Sequence, residues 1–204
     1  MLEQLFVVVS VTSLVMVTPG PDMVLVLRNT LVEGRRAGLR TSMGILCGNL
    51  VHITYCLLGI GLLISRSILA FSALKYAAAG YLVYLGIATI RSGSESLPTR
   101  DIDTGPLSKP SFVQGFANNI LNPKGTLFYL GIFTTVITPE TSPGAMFLLI
   151  GAMMFVSGSF WVCFVYTLDR RTLRNLIARS QQAVSRVVGG LLILLGLRLA
   201  SSSR

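Results

Sequence analysis

Two ionisable side chains interrupt long apolar stretches of the sequence, and each lies beside a helix-breaking proline. Asp22 stands in the segment TPGPD, and Lys124 stands in the segment LNPKG. Charged groups are costly at the depth of a lipid bilayer, and where they occur they mark ion or substrate pathways. The carboxylate could hold an ammonium group or carry a proton, and the ammonium could hold a carboxylate.

Both segments are typical of a helix that begins anew inside an apolar stretch. Gly20 can serve as the N-cap and Pro21 as the first helical residue, where the missing N–H costs nothing. Asn122 is a favoured N-cap, and Pro123 takes the same first position. Because free N–H groups at a helix start bind anions, the two breaks predict a substrate-binding site. The residues predicted to form it are those of the two breaks and one nearby amide: Pro19, Gly20, Pro21, Asp22, Asn119, Asn122, Pro123 and Lys124.

Each of these features has a simpler interpretation. The prolines could be plain kinks, and Asp22 and Lys124 could form a purely structural ion pair. Two matched breaks with opposite charges favour a binding site instead. A cation in the first turn of a helix opposes the helix dipole by ~0.3–1 kcal/mol at a surface, so something negative should compensate Lys124. The candidates are Asp22 and a substrate carboxylate.

Asn49 and His52 lie about one helical turn apart and share a helix face. His52 is the only histidine, and an imidazole titrates near neutral pH, so it is a candidate carrier of a coupling proton. The alternative is a histidine that is hydrogen-bonded within a helix bundle. Asp22 is the stronger candidate for proton coupling, and Asn49 is a candidate to line the cavity.

The elements that must position these groups are membrane helices. The chain has 204 residues, of which 52% are hydrophobic and 12% charged, and its mean hydropathy is +0.71. A helix needs ~20 apolar residues to cross a bilayer. Six apolar stretches are predicted to be spans: residues 5–32, 41–64, 70–90, 112–137, 145–168 and 187–199. The last is short, so it could begin earlier or lie at the edge of the bundle. The two breaks fall within the first and the fourth stretch, near the middle of the membrane.

The loops alternate in charge, which predicts an orientation. The first, third and fifth loops carry the arginines, and the second and fourth carry one basic residue between them. The positive-inside rule makes the arginine-rich loops cytoplasmic and both termini periplasmic. The net charge is +9, and the basic residues in these loops are therefore expected to contact anionic lipid. Nucleic acid is not an expected partner. The fifth loop could form an interfacial helix, because Leu173, Leu176, Ile177 and Val184 recur at near-helical spacing among its arginines.

The third loop divides the chain into two halves of three spans each. Residues 1–95 form the first predicted three-helix repeat, residues 96–111 a cytoplasmic linker, and residues 112–204 the second repeat. An odd number of spans makes the halves run in opposite directions through the membrane. The predicted fold is all-α, with six transmembrane helices in two inverted repeats. Interrupted helices at corresponding positions of such repeats indicate a transporter's binding site.

Other chemistry is not indicated by the sequence. The three cysteines form neither a CxxC pair nor a spaced metal set, and no phosphate-binding GxxxxGK[ST] segment is present. No catalytic residues, metal or cofactor are therefore predicted, and the protein is not expected to be an enzyme. Trp161 is assigned to packing or to a membrane interface. Gly44 and Gly48 have the spacing that permits close helix contact.

Two long segments carry a resemblance to a known family. The segments are TPGPDMVLVLRNTLVEGRRAGLRTSMGILCGNLVH and FANNILNPKGTLFYLGIF. They resemble the paired signatures of the LysE/RhtB family of amino-acid exporters, whose members include threonine-, homoserine- and leucine-type efflux proteins. The resemblance covers essentially the whole chain. It implies secondary export of an amino acid or close derivative across the bacterial inner membrane, driven by proton antiport, and it does not fix the substrate.

Two other functions are weighed against this one. Some membrane families with comparable breaks export inorganic ions or other small metabolites. A membrane-embedded enzyme or a lipid-handling protein would need a second acid–base pair near an interface, and none is evident. A chain of 204 residues is small for a transporter, so a homodimer is also expected.

Overall fold

The protein is helical throughout the part that the structure, a computed structural model, describes. The described residues are 1–66, 68–92, 110–137, 141–168 and 171–201. The predicted linker, residues 96–111, lies outside them except for its last two positions. The helices are α1 (Leu2–Val17), α2 (Pro21–Glu33), α3 (Arg35–Arg66), α4 (Ile68–Ser92), α5 (Ser111–Ile120), α6 (Pro123–Val136), α7 (Pro143–Leu168) and α8 (Arg171–Ser201).

The first break separates α1 from α2, which meet at an angle of 58°. Thr18 (φ −67°, ψ 121°) and Gly20 (φ −174°, ψ 178°) are both extended. Each precedes a proline, and the proline ring drives the residue before it out of the helical region. The helix therefore cannot continue through this segment, and it begins again at Pro21 as predicted.

The second break separates α5 from α6 and follows the same rule. Asn122 is extended (φ −82°, ψ 109°) before Pro123, which is the first residue of α6. The Asn122 side chain accepts a hydrogen bond of 3.0 Å from the backbone N–H of Lys124. The predicted N-cap is therefore confirmed at this helix start.

Two helices of the described part are long and apolar enough to cross a membrane: the Arg35–Gly59 portion of α3, and α7. The α1–α2 pair makes a third if it is one bent span. The last predicted stretch and the helix predicted in the fifth loop are not separate elements, because α8 runs through both. The segment 171–201 holds no proline, so nothing stops the helix between them.

Apolar and polar side chains are distributed between surface and interior as in a membrane protein. Several of the largest apolar side chains lie on the outer surface, where Leu2 is 82% and Phe147 77% exposed. Polar side chains such as Asn29, Asn49 and His52 are instead buried among the helices. Apolar side chains facing outward, with polar side chains kept among the helices, fit insertion into a membrane.

Glycines bring α5 very close to α3. A Cβ atom on Gly44 would lie 2.7 Å from the backbone nitrogen of Phe116, and one on Gly115 would lie 2.9 Å from the carbonyl carbon of Thr41. Neither position has room for a side chain, so the two backbones can approach only because both residues are glycine. The predicted close contact at Gly44 is confirmed, and it brings the second break against Asn49 and His52.

Candidate functional site

A cavity of about 40 Å³ lies between the two breaks. Its walls come from both apolar clusters of the interior, the one that contains Val15 and Tyr129 and the one that contains Met23 and Trp161. At roughly 10–15 Å³ per water, the cavity has room for about three waters. Most of the predicted substrate-binding residues line it: Gly20, Asp22, Asn119, Asn122 and Lys124.

Asp22 is held by the end of α5. One carboxylate oxygen accepts a hydrogen bond of 2.6 Å from the Asn118 amide, and the other accepts one of 2.9 Å from the Asn119 amide. Both asparagines lie at the end of α5, just before the second break. Asn118 and Asn119, which precede the second break, therefore fix the position of the Asp22 carboxylate at the first break.

Lys124 is held by the end of α1. Its ammonium donates hydrogen bonds to the carbonyl oxygens of Thr18 (3.0 Å) and Val15 (3.3 Å). Both carbonyls lie at the C-terminal end of α1, which the helix dipole makes negative. The Val15 carbonyl also accepts a hydrogen bond of 3.3 Å from the backbone N–H of Thr18. The hydrogen-bond partner of the Lys124 ammonium is therefore a helix end, which was not among the two candidates predicted from the sequence. Asp22, the first of those candidates, interacts with Lys124 electrostatically.

Asp22 and Lys124 thus line the same cavity. Asp22, at the first break, is held by residues of the second break, and Lys124, at the second break, is held by residues of the first. The backbone of the first break lies directly against the lysine, since a Cβ atom on Gly20 would be 3.5 Å from its ammonium nitrogen. The geometry presents a negative and a positive group to the same small space. Such a pair of groups matches a zwitterion, whose ammonium and carboxylate have complementary charges.

His52 and Asn49 form a second layer behind Asp22. The amide of Asn119 also donates to the side-chain oxygen of Asn49 at 3.1 Å. The Nε2 atom of His52 lies 3.0 Å from the carbonyl oxygen of Asn119. Because a carbonyl only accepts, Nε2 carries the hydrogen, and Nδ1 faces the hydroxyls of Tyr55 and Thr126. The fully buried His52 therefore supports Asn119, whereas Asn49 reaches the cavity itself.

Trp161 is one of several cavity-lining residues that the sequence did not predict. It lines the cavity from α7, and its indole N–H has no acceptor among the described residues. The Nδ2 group of Asn49 likewise lacks an acceptor in that part of the chain. A buried donor left without a partner costs about 1–3 kcal/mol. The sequence does contain a signal for Trp161, because a lone tryptophan in an apolar span needs a hydrogen-bond partner for its N–H.

Broken helices around a charged cavity, within an apolar outer surface, are typical of membrane transport proteins. The chain belongs to the LysE type translocator family, which it matches over residues 13–203.

Several proteins resemble the chain along nearly its whole length. A homoserine/homoserine lactone efflux protein of Salmonella typhimurium is 28% identical over 98% of this chain and 97% of its own. The membrane protein YrhP of Bacillus subtilis is 26% identical over 97% of this chain and 98% of its own. The membrane protein YahN of Escherichia coli is 25% identical, with 97% and 89% covered. No solved structure matches the chain.

Proposed function

We propose that the protein exports an amino acid or a close derivative from the bacterial cytoplasm, as a secondary transporter driven by proton antiport. One observation carries the proposal: an acid and a base, each held by the opposite helix break, face one cavity in the interior. Membership in a translocator family and the likeness to an efflux protein for homoserine and its lactone support the direction and the kind of cargo.

In this proposal the substrate's ammonium binds Asp22 and its carboxylate binds Lys124. Lys124 keeps one N–H beyond the two that it donates to Val15 and Thr18. The first backbone N–H of α6 is already occupied by the Asn122 side chain. The anion contact at this helix start therefore comes from the lysine side chain, with the residues of the two breaks shaping the space around it.

Transport requires the cavity to open, because about 40 Å³ is too little for an amino acid. We propose that the two halves, residues 1–95 and 112–204, form inverted repeats of six spans in total and rock against each other. Protonation of Asp22 would remove the negative charge that holds the ammonium and so release the substrate. His52 is the second candidate for this step, through its contact with Asn119.

The proposed setting is the inner membrane, with both termini periplasmic. The arginine-rich loops would then contact anionic lipid on the cytoplasmic side, as the positive-inside rule predicts. A homodimer belongs to the same proposal.

Export of individual amino acids from whole cells tests the function. Cells with and without the chain are fed dipeptides of each common amino acid and of homoserine, and the free amino acid outside the cells is measured. The chain is expected to raise the external concentration of one or a few of them. Unchanged export of every amino acid, together with altered metal tolerance, would instead favour an exporter of inorganic ions.

Replacing Gly48 by alanine is expected to lower export about tenfold with normal insertion into the membrane. A Cβ atom there would lie 3.0 Å from Cγ of Asn119 and push its amide away from Asp22, which breaks a hydrogen bond to a charged group. The matched control is Gly59→Ala in the same helix, where a Cβ atom would meet nothing within 4 Å. Equal export by the two variants would show that the position of Asn119 does not matter.

A further inference from the structure

Two buried hydrogen-bond donors in the wall of the cavity have no acceptor among the described residues. They are Nδ2 of Asn49, on α3, and Nε1 of Trp161, on α7. Each residue is only 3% exposed, and both line the cavity that Lys124 also lines. Donors from separate helices therefore surround the same space.

The orientation of the Asn49 amide is fixed by Asp22. The carboxylate only accepts, so Asn119 must turn its NH₂ group toward it, at 2.9 Å. The same NH₂ group donates to the side-chain oxygen of Asn49 at 3.1 Å. That hydrogen bond makes the oxygen of Asn49 face Asn119. The NH₂ group of Asn49 therefore points away from Asn119 and is available to a ligand.

Asn119 also has a side-chain oxygen without a partner among the described residues, but that oxygen lies against Gly48, which does not line the cavity. The free groups of Asn49, Trp161 and Lys124 are all donors. An indole N–H cannot accept, the NH₂ group of Asn49 cannot accept, and an ammonium group cannot accept. Lys124 has three hydrogens and uses two of them on Val15 and Thr18. A ligand group that accepts hydrogen bonds from these donors must bring several acceptor lone pairs. A carboxylate has them, whereas an ammonium group or an inorganic cation does not.

We propose that Asn49 and Trp161, together with Lys124, bind the substrate's carboxylate, so that a free amino acid binds more tightly than a derivative whose carboxyl group is missing or blocked. The inference rests on the proposed export of an amino acid. It adds two donors that lie outside the helix breaks, and it defines which chemical group on the substrate they recognise.

The fluorescence of the purified full-length protein tests this directly, because Trp161 is the only tryptophan. The first probe is L-homoserine, followed by any amino acid that the export assay identifies. Each is compared with the amine that lacks only the carboxyl group, which is 3-aminopropan-1-ol for homoserine. An exported amino acid is expected to shift the emission saturably, and its amine at the same concentration is expected to leave it unchanged.

Transport by two variants supplies the second readout. Trp161→Phe keeps an aromatic ring and removes the N–H. Asn49→Ala removes the NH₂ group together with the oxygen that accepts from Asn119, while Asn119 keeps its bond to Asp22. Each loses one hydrogen bond to a charged group, so KM is expected to rise about tenfold or more with little change in the maximal rate. Phe164→Leu is the control, since Phe164 packs against Trp161 but lies outside the cavity lining.

The outcomes separate this inference from the function on which it rests. An amino acid that is exported without changing the emission of Trp161, and with wild-type KM in both variants, overturns the inference and leaves the export function standing. A wild-type protein that exports no amino acid overturns the export function and the inference with it.

Discussion

Asp22→Asn is expected to reduce amino-acid export at least about 100-fold while the protein inserts normally. The substitution removes the negative charge that the substrate's ammonium would meet. It also places an NH₂ group where a carboxylate oxygen now accepts from Asn118 or Asn119, so one of two charge-assisted hydrogen bonds is lost. Such bonds contribute about 1.5–3 kcal/mol each. The measurement is the initial rate of efflux, normalised to the amount of protein in the membrane.

The control for this variant is Glu3→Gln. Glu3 is an exposed acid in the first turn of α1, away from the cavity lining. Its loss changes the net charge of the chain by the same amount, and export is expected to stay at the wild-type rate. Normal export by Asp22→Asn would show that the carboxylate neither binds the substrate nor carries its proton.

Lys124→Met is expected to reduce export to a similar extent. Methionine has nearly the length of lysine but no donor, so the Val15 and Thr18 carbonyls lose the hydrogen bonds from the ammonium. The Val15 carbonyl keeps only its bond from the Thr18 N–H, and the substrate's carboxylate loses its cation. The measurement is again the initial efflux rate, and the amount of inserted protein shows whether the fold has survived. Arg198→Met, which removes an exposed cation from the last turn of α8, is the matched control. Rates that fall equally in both variants would point to a general effect of charge.

The two helix breaks could be predicted from the sequence because proline acts locally. Pro21 and Pro123 lack the N–H that a continuing helix requires, and each forces the residue before it to be extended. The close approach at Gly44 was predictable for the same kind of reason, since it depends on a missing side chain. These features need no knowledge of the rest of the fold.

The partners of the two charges could not be predicted, because they depend on tertiary structure. The carbonyl oxygens that hold Lys124 are separated from it by 109 and 106 residues, and they belong to the main chain, which carries no sequence signal. Trp161 lies on a different helix from either break, and only the assembled fold places it in the cavity. The sequence left the start of α8 open, because hydropathy marks the apolar part of a helix and not its polar beginning.

Efflux from proteoliposomes that contain only the purified full chain tests the central claim most directly. The vesicles are loaded with the labelled amino acid that the cell assay identifies, and the outside is made acidic to drive proton antiport. The predicted result is rapid efflux through the wild-type protein, which a protonophore slows, and no efflux above that of empty vesicles for Asp22→Asn and Lys124→Met. Wild-type rates in both variants would contradict the claim that these two residues form the site.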